Sequence, residues 1–175
     1  MSEELVDVVD ELDRVVDTVP RSEMRSAHLR HRVASVLVFR SDGRILVHRR
    51  TETKDVFPGA FDCFVGGVVT AGESYEAARD RELAEETGIR DSPIVELFRH
   101  RYDGDDPSWT AVYATTWDGP VVPQAEEIAW HAWESVDEVA RRAAAASFVP
   151  DGREILERWL AEGGRRPPTA VGSGG

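Results

Sequence analysis

The stretch from Ser74 to Thr87 contains neither proline nor glycine and is rich in Ala, Glu and Arg. Such a composition favours a helix strongly over any other element. Ser74 is a suitable N-cap and Gly88 a suitable C-terminal stop. Nearly everything around this helix reads as strand. Val33–Phe39 is a strong apolar run, Ser41-Asp42-Gly43-Arg44 a turn, and Ile45–His48 its hairpin partner. Phe64–Val69 is a short strand interrupted by Gly66-Gly67. Further strands follow near Val95–Tyr102, Trp109–Trp117 and Ile128–Trp133. Strands before and after one central helix predict a mixed sheet packed between helices, an α/β (α+β) sandwich.

The ends of the chain are less regular. Leu5, Val6, Val8, Val9, Leu12, Val15 and Val16 fit a helix as well as two short strands. The Val-rich composition favours strands, with Asp10–Asp13 as their turn. Pro20–His28 reads as a short helix, and Thr51–Phe61 as a loop broken by Pro58-Gly59. Helices near Val136–Ala145 and Arg153–Glu162 close the domain. From Gly163 onward, Pro167-Pro168 and the final Gly-Ser-Gly-Gly predict a disordered tail. There is no internal repeat. The expectation is one domain over residues 1–162, with an N-terminal extension (1–30), and a tail over 163–175.

Composition excludes several roles. The formal charge is −12, which opposes broad binding to nucleic-acid polymers or anionic membranes. No run is long and apolar enough to span a bilayer, and Met1-Ser2-Glu3-Glu4 is acidic where a secretory signal is basic. The lone Cys63 rules out an internal disulfide framework. A cytoplasmic location is expected. If the substrate is an anion, clustered arginines or a bound cation must supply local positive charge. Lys54 is the only lysine, so the positive charge is nearly all arginine.

At about 100° per residue, Glu82, Glu85 and Glu86 fall on one side of the helix. Crowded carboxylates repel and raise one another's pKa unless a cation intervenes. Oxygen-only ligands suit a hard cation such as Mg²⁺, which keeps several waters and accepts phosphate oxygens. An acidic face of this kind can hold a metal that in turn holds an anion. The plainer alternative is a solvated face balanced by Arg79 and Arg81, both at helical pairing distance.

The complete pattern favours the first reading. Gly67, five residues, Glu73, seven residues, then Arg81-Glu82-Leu83-Ala84-Glu85-Glu86-Thr87-Gly88-Ile89 resembles the Nudix box at every specified position, without a gap. The resemblance implies a Nudix-type α/β/α sandwich whose loop–helix–loop element carries the chemistry. It implies Mg²⁺, with Mn²⁺ as substitute, on Glu82, Glu85 and Glu86, and a small-molecule diphosphate as substrate. Glu73 and Arg81 brace the element, with Arg81 and Glu85 counted in the catalytic set. Gly67 would let the loop turn tightly, and Gly88 would end the helix without a Cβ penalty. Leu29-Arg30-His31-Arg32, the Gly43–Arg50 hairpin end, Thr53-Lys54-Asp55 and Phe57-Pro58-Gly59 look like the Nudix branch related to isopentenyl-diphosphate isomerases.

Isomerase chemistry of that kind uses a cysteine just before a Gly-His pair. Here glycine and valine stand at those places, and Cys63 comes three residues early, which in a strand turns it to the opposite face. The acidic pair expected near Asp103–Asp106 is not cleanly present, although His31 matches one expected histidine. A non-catalytic binding module would have little reason to keep the carboxylates of the box. Hydrolysis therefore leads, with nucleoside di- or triphosphates ranked first as substrates. Its general base is a box glutamate or Glu127, with Glu126 the rival of the latter. Arg49, Arg50 and Lys54 are the candidates for binding phosphate, though Arg49 and Arg50 alternate faces. Phe57, Phe61, Trp109 and Tyr113 can stack a base or serve the core. Trp117, Trp130, Trp133 and Trp159 can pack a homodimer interface or the core.

Overall fold

A computed structural model describes residues 2–167. The N-terminal valines form a hairpin of β1 (Leu5–Val9) and β2 (Val15–Pro20), paired antiparallel. Asp10 makes the turn: its Oδ1 accepts the backbone N–H groups of Leu12 and Arg14 at 2.8 and 3.0 Å. Short helix α1 (Arg21–Ser26) buries Met24 against Val6, Val8, Val19 and Val68 and ties the hairpin to the core.

The sheet is built around β3 (His31–Phe39). This strand pairs antiparallel with β6 (Phe64–Val68) on one side and parallel with β8 (Ser108–Thr116) on the other. β7 (Ile94–Tyr102) extends the sheet beyond β8. A second ladder joins β4 (Ile45–Arg50) to β5 (Phe61–Asp62) and β9 (Ile128–Glu134). The expected hairpin of β3 and β4 is real only at its base. The two strands pair at Phe39 and Ile45 and then part, because each finds longer partners elsewhere. Their parting leaves a cleft between the ladders.

Helices cover both faces. α2 (Tyr75–Thr87) packs Tyr75, Ala78 and Leu83 on Ala34, Val36, Val38, Val65 and Tyr113. On the opposite face α3 (Val136–Ala145) and α4 (Pro150–Ala161) pack Val139, Ile155, Leu156 and Trp159 on Leu37, Phe39, Val47 and Val112. α4 starts three residues before the expected Arg153, since proline in the first turn of a helix has no N–H bond to lose. The expected tail begins with ordered contacts: Gly164 donates its N–H to the Trp159 carbonyl, and Trp159 Nε1 donates to the Arg165 carbonyl. The remainder of that tail, 168–175, lies outside the described residues. Trp117, Trp133 and Trp159 pack against the two cores, while Trp130 is 41% exposed. No helix among the described residues is long and apolar enough to cross a membrane.

Gly66 is where β6 approaches β3 most closely: a Cβ built there would stand 1.9 Å from the Ala34 carbonyl oxygen. Backbone cannot swing aside as a side chain can. Gly66→Ala is expected to destabilise the protein by about 2 kcal/mol or more, the scale of overpacking in a core. Urea unfolding checks this; an unchanged midpoint would mean that β6 separates from β3 at no cost.

Candidate active site

Residues of the helix and its approach form a braced unit. Ser74 caps α2 by accepting the Ala77 N–H at 3.1 Å, and Gly88 ends it at φ 74° with its N–H on the Ala84 carbonyl. Arg81 is the brace. Its Nε and Nη2 donate to the two oxygens of Glu73 at 3.0 and 2.9 Å, its Nη1 to Glu82 at 2.6 Å, and Nη2 also reaches the Val68 carbonyl at 3.3 Å. Glu73 in turn accepts the Thr70 N–H at 3.0 Å. The hydrogen bonds from Arg81 hold the Glu73 carboxyl below its ordinary pKa despite partial burial.

Gly67 plays a different part from the tight turn expected of it. It lies inside β6 and is absent from the positive-φ residues. A Cβ built on it would stand 2.8 Å from the Glu82 carboxyl, so its bareness makes room for that side chain.

The three glutamates of the helix face differ. Glu85 is half exposed and 3.6 Å from Arg81. Burial raises the Glu82 carboxyl pKa, and hydrogen bonding and charge from Arg81 oppose it. Glu86 is 7% exposed and faces a cavity. Burial pushes its pKa well above the ordinary value, Glu82 and Glu127 add to this, and Lys54 and Arg50 pull the other way. Among the described residues no three His, Cys, Asp or Glu side chains converge to enclose a metal by themselves. Arg81 engages two of the three glutamates, Glu82 at 2.6 Å and Glu85 at 3.6 Å.

The cavity is the cleft between the two ladders, an open space of about 660 Å³ counting the solvent at its mouth. Arg50 and Lys54 line it, and Arg50 is anchored by its Nε on the Val56 carbonyl at 3.1 Å. Arg49 is not brought to the site. Strand alternation turns it outward, where it binds Glu52 and the Gly59 carbonyl. Lys54 Nζ is in direct contact with Glu127 Oε2, which places Glu127 beside the Glu86 face. Glu126 is exposed, and its carbonyl accepts the Thr51 hydroxyl. Of the aromatic candidates Phe57 lines the cavity, whereas Phe61 packs edge-on against Trp130 and Tyr113 belongs to the core under α2. Cys63 is fully buried on the α3/α4 side, where burial raises its thiol pKa.

Sequence reading missed much of the cavity. Arg21 and Arg25 reach it from α1, with Arg21 on Glu4 at 2.9 Å and Arg25 on Asp106 at 2.6 Å. His31, His48, Asp62 and Asp151 form its buried interior. His48 and Asp62 are direct cross-strand partners of β4 and β5. Asp62 Oδ1 accepts the N–H groups of Cys63 and Phe64 at 2.8 and 3.1 Å. Burial, then the nearby Asp151, pushes the Asp62 carboxyl up to about 7. These positions are scattered along the chain, and no local spacing announces them.

Comparison with known proteins gives a consistent relationship. The family model of the NUDIX domain matches residues 29–159. A Streptomyces coelicolor protein described as an uncharacterized Nudix hydrolase is 44% identical over 98% of this chain and 96% of its own length. YfcD of Escherichia coli K12, also described as an uncharacterized Nudix hydrolase, is 36% identical over 91% of this chain and 88% of its own. Among solved structures, DR0079 from Deinococcus radiodurans superposes with a TM-score of 0.77 at 27% identity, covering 89% of this chain and 98% of that one.

The buried Asp62 carries a pH signature. Below about pH 4 it is neutral both folded and unfolded, so its burial has no charge cost. As pH rises from the ordinary value of 3.8 toward 7, the unfolded chain ionises first and the folded state loses stability relative to it. Asp62→Asn keeps an oxygen for the two backbone N–H groups and removes the charge. It is expected to stabilise the protein by about 2–4 kcal/mol at pH 8 and by little at pH 4. Urea titrations at the two pH values measure the difference; an equal effect at both would dismiss the charge cost.

Proposed function

Because this chain belongs to the Nudix hydrolases, enzymes that cleave pyrophosphate-type linkages, we propose that it hydrolyses a small diphosphate compound with a divalent cation, nucleoside di- or triphosphates ranking first. The observation that carries the reading is Glu86, a buried carboxylate facing a cavity that Arg50 and Lys54 also line. An isolated carboxylate is costly to bury as a charge, and a hard cation among oxygen donors removes that cost. Glu82, Glu85 and Glu86 fit such a cation. Mg²⁺ retains several waters, so it does not need a closed cage of protein ligands. Mn²⁺ suits the same oxygens.

When bound, the cation neutralises phosphate charge and lowers the pKa of a coordinated water. The chain's own residues supply the rest. Arg81 keeps Glu82 and Glu85 from splaying apart and fixes them to the Glu73 loop. Arg50 and Lys54 receive the phosphate oxygens, Arg50 held in place by its bond to Val56. Glu127, whose Oε2 is engaged by Lys54, accepts at Oε1 the proton of the attacking water. The new P–O bond forms as the bridging P–O bond breaks, and the leaving phosphate oxygen departs toward the cationic wall. Glu127 is preferred to Glu126 because Glu126 faces solvent.

Two measurements test this. Phosphate and pyrophosphate release is followed for nucleoside di- and triphosphates, nucleotide sugars, dinucleotides and isoprenoid diphosphates, with Mg²⁺, Mn²⁺ or EDTA. Turnover is expected with metal and none with EDTA. Glu86→Gln should keep the fold by circular dichroism and lose roughly two to three orders of magnitude in kcat. Full activity in that variant would sink the metal assignment.

A further inference from the structure

The interior of the cavity holds polar groups for which diphosphate hydrolysis has no use. His31 and His48 are 0% and 3% exposed and both line it. His31 Nδ1 lies 3.0 Å from the Leu29 carbonyl, which can only accept, so the nitrogen donates. Its Nε2 is therefore a bare acceptor; it has no hydrogen-bond partner, with Asp106 Oδ2 at 4.0 Å. His48 Nδ1 also lacks a partner. Burial keeps both imidazoles neutral, with His48 lowered to about 3. Beside them Asp62 spends Oδ1 on backbone N–H groups and leaves Oδ2 free of those bonds. Asp151 stands close by in the first turn of α4. Buried polar atoms without partners are rare in folded proteins, and two of those found here, His31 Nε2 and His48 Nδ1, line one open cavity.

The chemistry that fits this wall is narrow. The lining carries both signs, Arg21, Arg25, Arg50 and Lys54 beside Asp55, Asp62, Glu86, Asp106 and Asp151, so the two neutral imidazoles do not select a charged group. A nucleobase wants broad flat aromatic faces, and among the described lining residues Phe57 and Phe64 are the only phenylalanine, tyrosine or tryptophan side chains. Hydroxyl groups meet every requirement. They are neutral, they donate to the bare His31 Nε2, and they can either donate to or accept from His48 Nδ1 and the Asp62 and Asp151 carboxyls.

We propose that His31, His48, Asp62 and Asp151 form a subsite for sugar hydroxyls, so that the organic part of the substrate is a pentose or hexose carried on the diphosphate. Its placement opposite Arg50, Lys54 and Glu86 rests on the hydrolase reading; the hydroxyl recognition itself does not. The ring lies against the buried wall, and the diphosphate points to the cationic and acidic residues nearer the mouth. Nucleotides enter through their ribose, sugar diphosphates through their ring.

The test uses matched diphosphates that differ only in hydroxyls: a ribonucleoside diphosphate against its 2′,3′-dideoxy form, and xylopyranose 1-diphosphate against tetrahydropyran-2-yl diphosphate. Binding of their non-hydrolysable methylenediphosphonate analogues to the intact protein is measured by calorimetry with Mg²⁺ present, so that no turnover occurs. In at least one pair the hydroxylated compound is expected to bind about tenfold or more tightly, the scale of one or two buried hydrogen bonds. His48→Phe should reduce that preference to roughly twofold while leaving the hydroxyl-free partner's affinity unchanged. Equal affinity within both pairs, or no binding by any of the four, overturns the subsite; if the variant does not fold, the pairs on the unaltered protein still decide. Failure of the hydrolase reading is seen separately, as absent metal-dependent turnover whatever the hydroxyls do.

Discussion

Leu37 and Phe39 leave β3 in one direction and Ala34, Val36 and Val38 in the other, and all five are shielded from water. A strand buried on both faces must be covered twice. α2 covers one face, and α3 with α4 covers the other. The parallel partner β8 cannot follow β3 directly, because a parallel pair needs a long crossover. Between them the chain runs through β4, β5, β6, α2 and β7. β6 thus lies beside β3 and delivers Gly66 and Gly67 directly under α2, where Glu82 uses the space of the missing Cβ. The site depends on this packing at every step.

The charge pattern follows from the same arrangement. A chain of net charge −12 meets an anion where its cations are concentrated. The cleft concentrates them from separate places: Arg21 and Arg25 from α1, Arg50 from the end of β4, and Lys54 from the loop after it. Several are held by acids, Arg25 by Asp106 and Arg21 by Glu4, so the wall is a network rather than a bare positive field. Across from it Arg81 offsets Glu73, Glu82 and Glu85 together. Glu86 is left facing the cations, and it takes the largest rise in pKa of the helix face because water is excluded from it.

What could be read beforehand was what lies close together in sequence. The α2 boundaries, the Ser74 cap and the Gly88 stop fall within one helix, where spacing translates directly into geometry, whereas the Arg81–Glu73 brace came with the resemblance to the Nudix box. The N-terminal hairpin was only favoured by its valines, since the same apolar spacing also fitted a helix. The role of Gly67 was not legible, because the reason for the glycine is a side chain fifteen positions away on another element. Nor was the parting of β3 and β4, which is decided by competing partners β6, β8 and β9. Arg49 and Arg50 could be known to alternate, but which of them faced the cleft required knowing where the cleft was.

The same distinction separates reaction from specificity. Of the residues assigned to hydrolysis, Glu82 and Glu85 stand on α2 and are tied through Arg81 to each other and to Glu73. The polar wall draws His31 from β3, His48 from β4, Asp62 from β5 and Asp151 from α4. Those four side chains share no common brace and are held by the sheet and the α4 terminus individually. Exchange of any one alters what the cavity can hydrogen-bond without touching the acidic helix face. A fold built this way can retain one bond-breaking apparatus while its relatives take different organic groups, and the wall, more than the helix, is where the substrate of a particular chain is written.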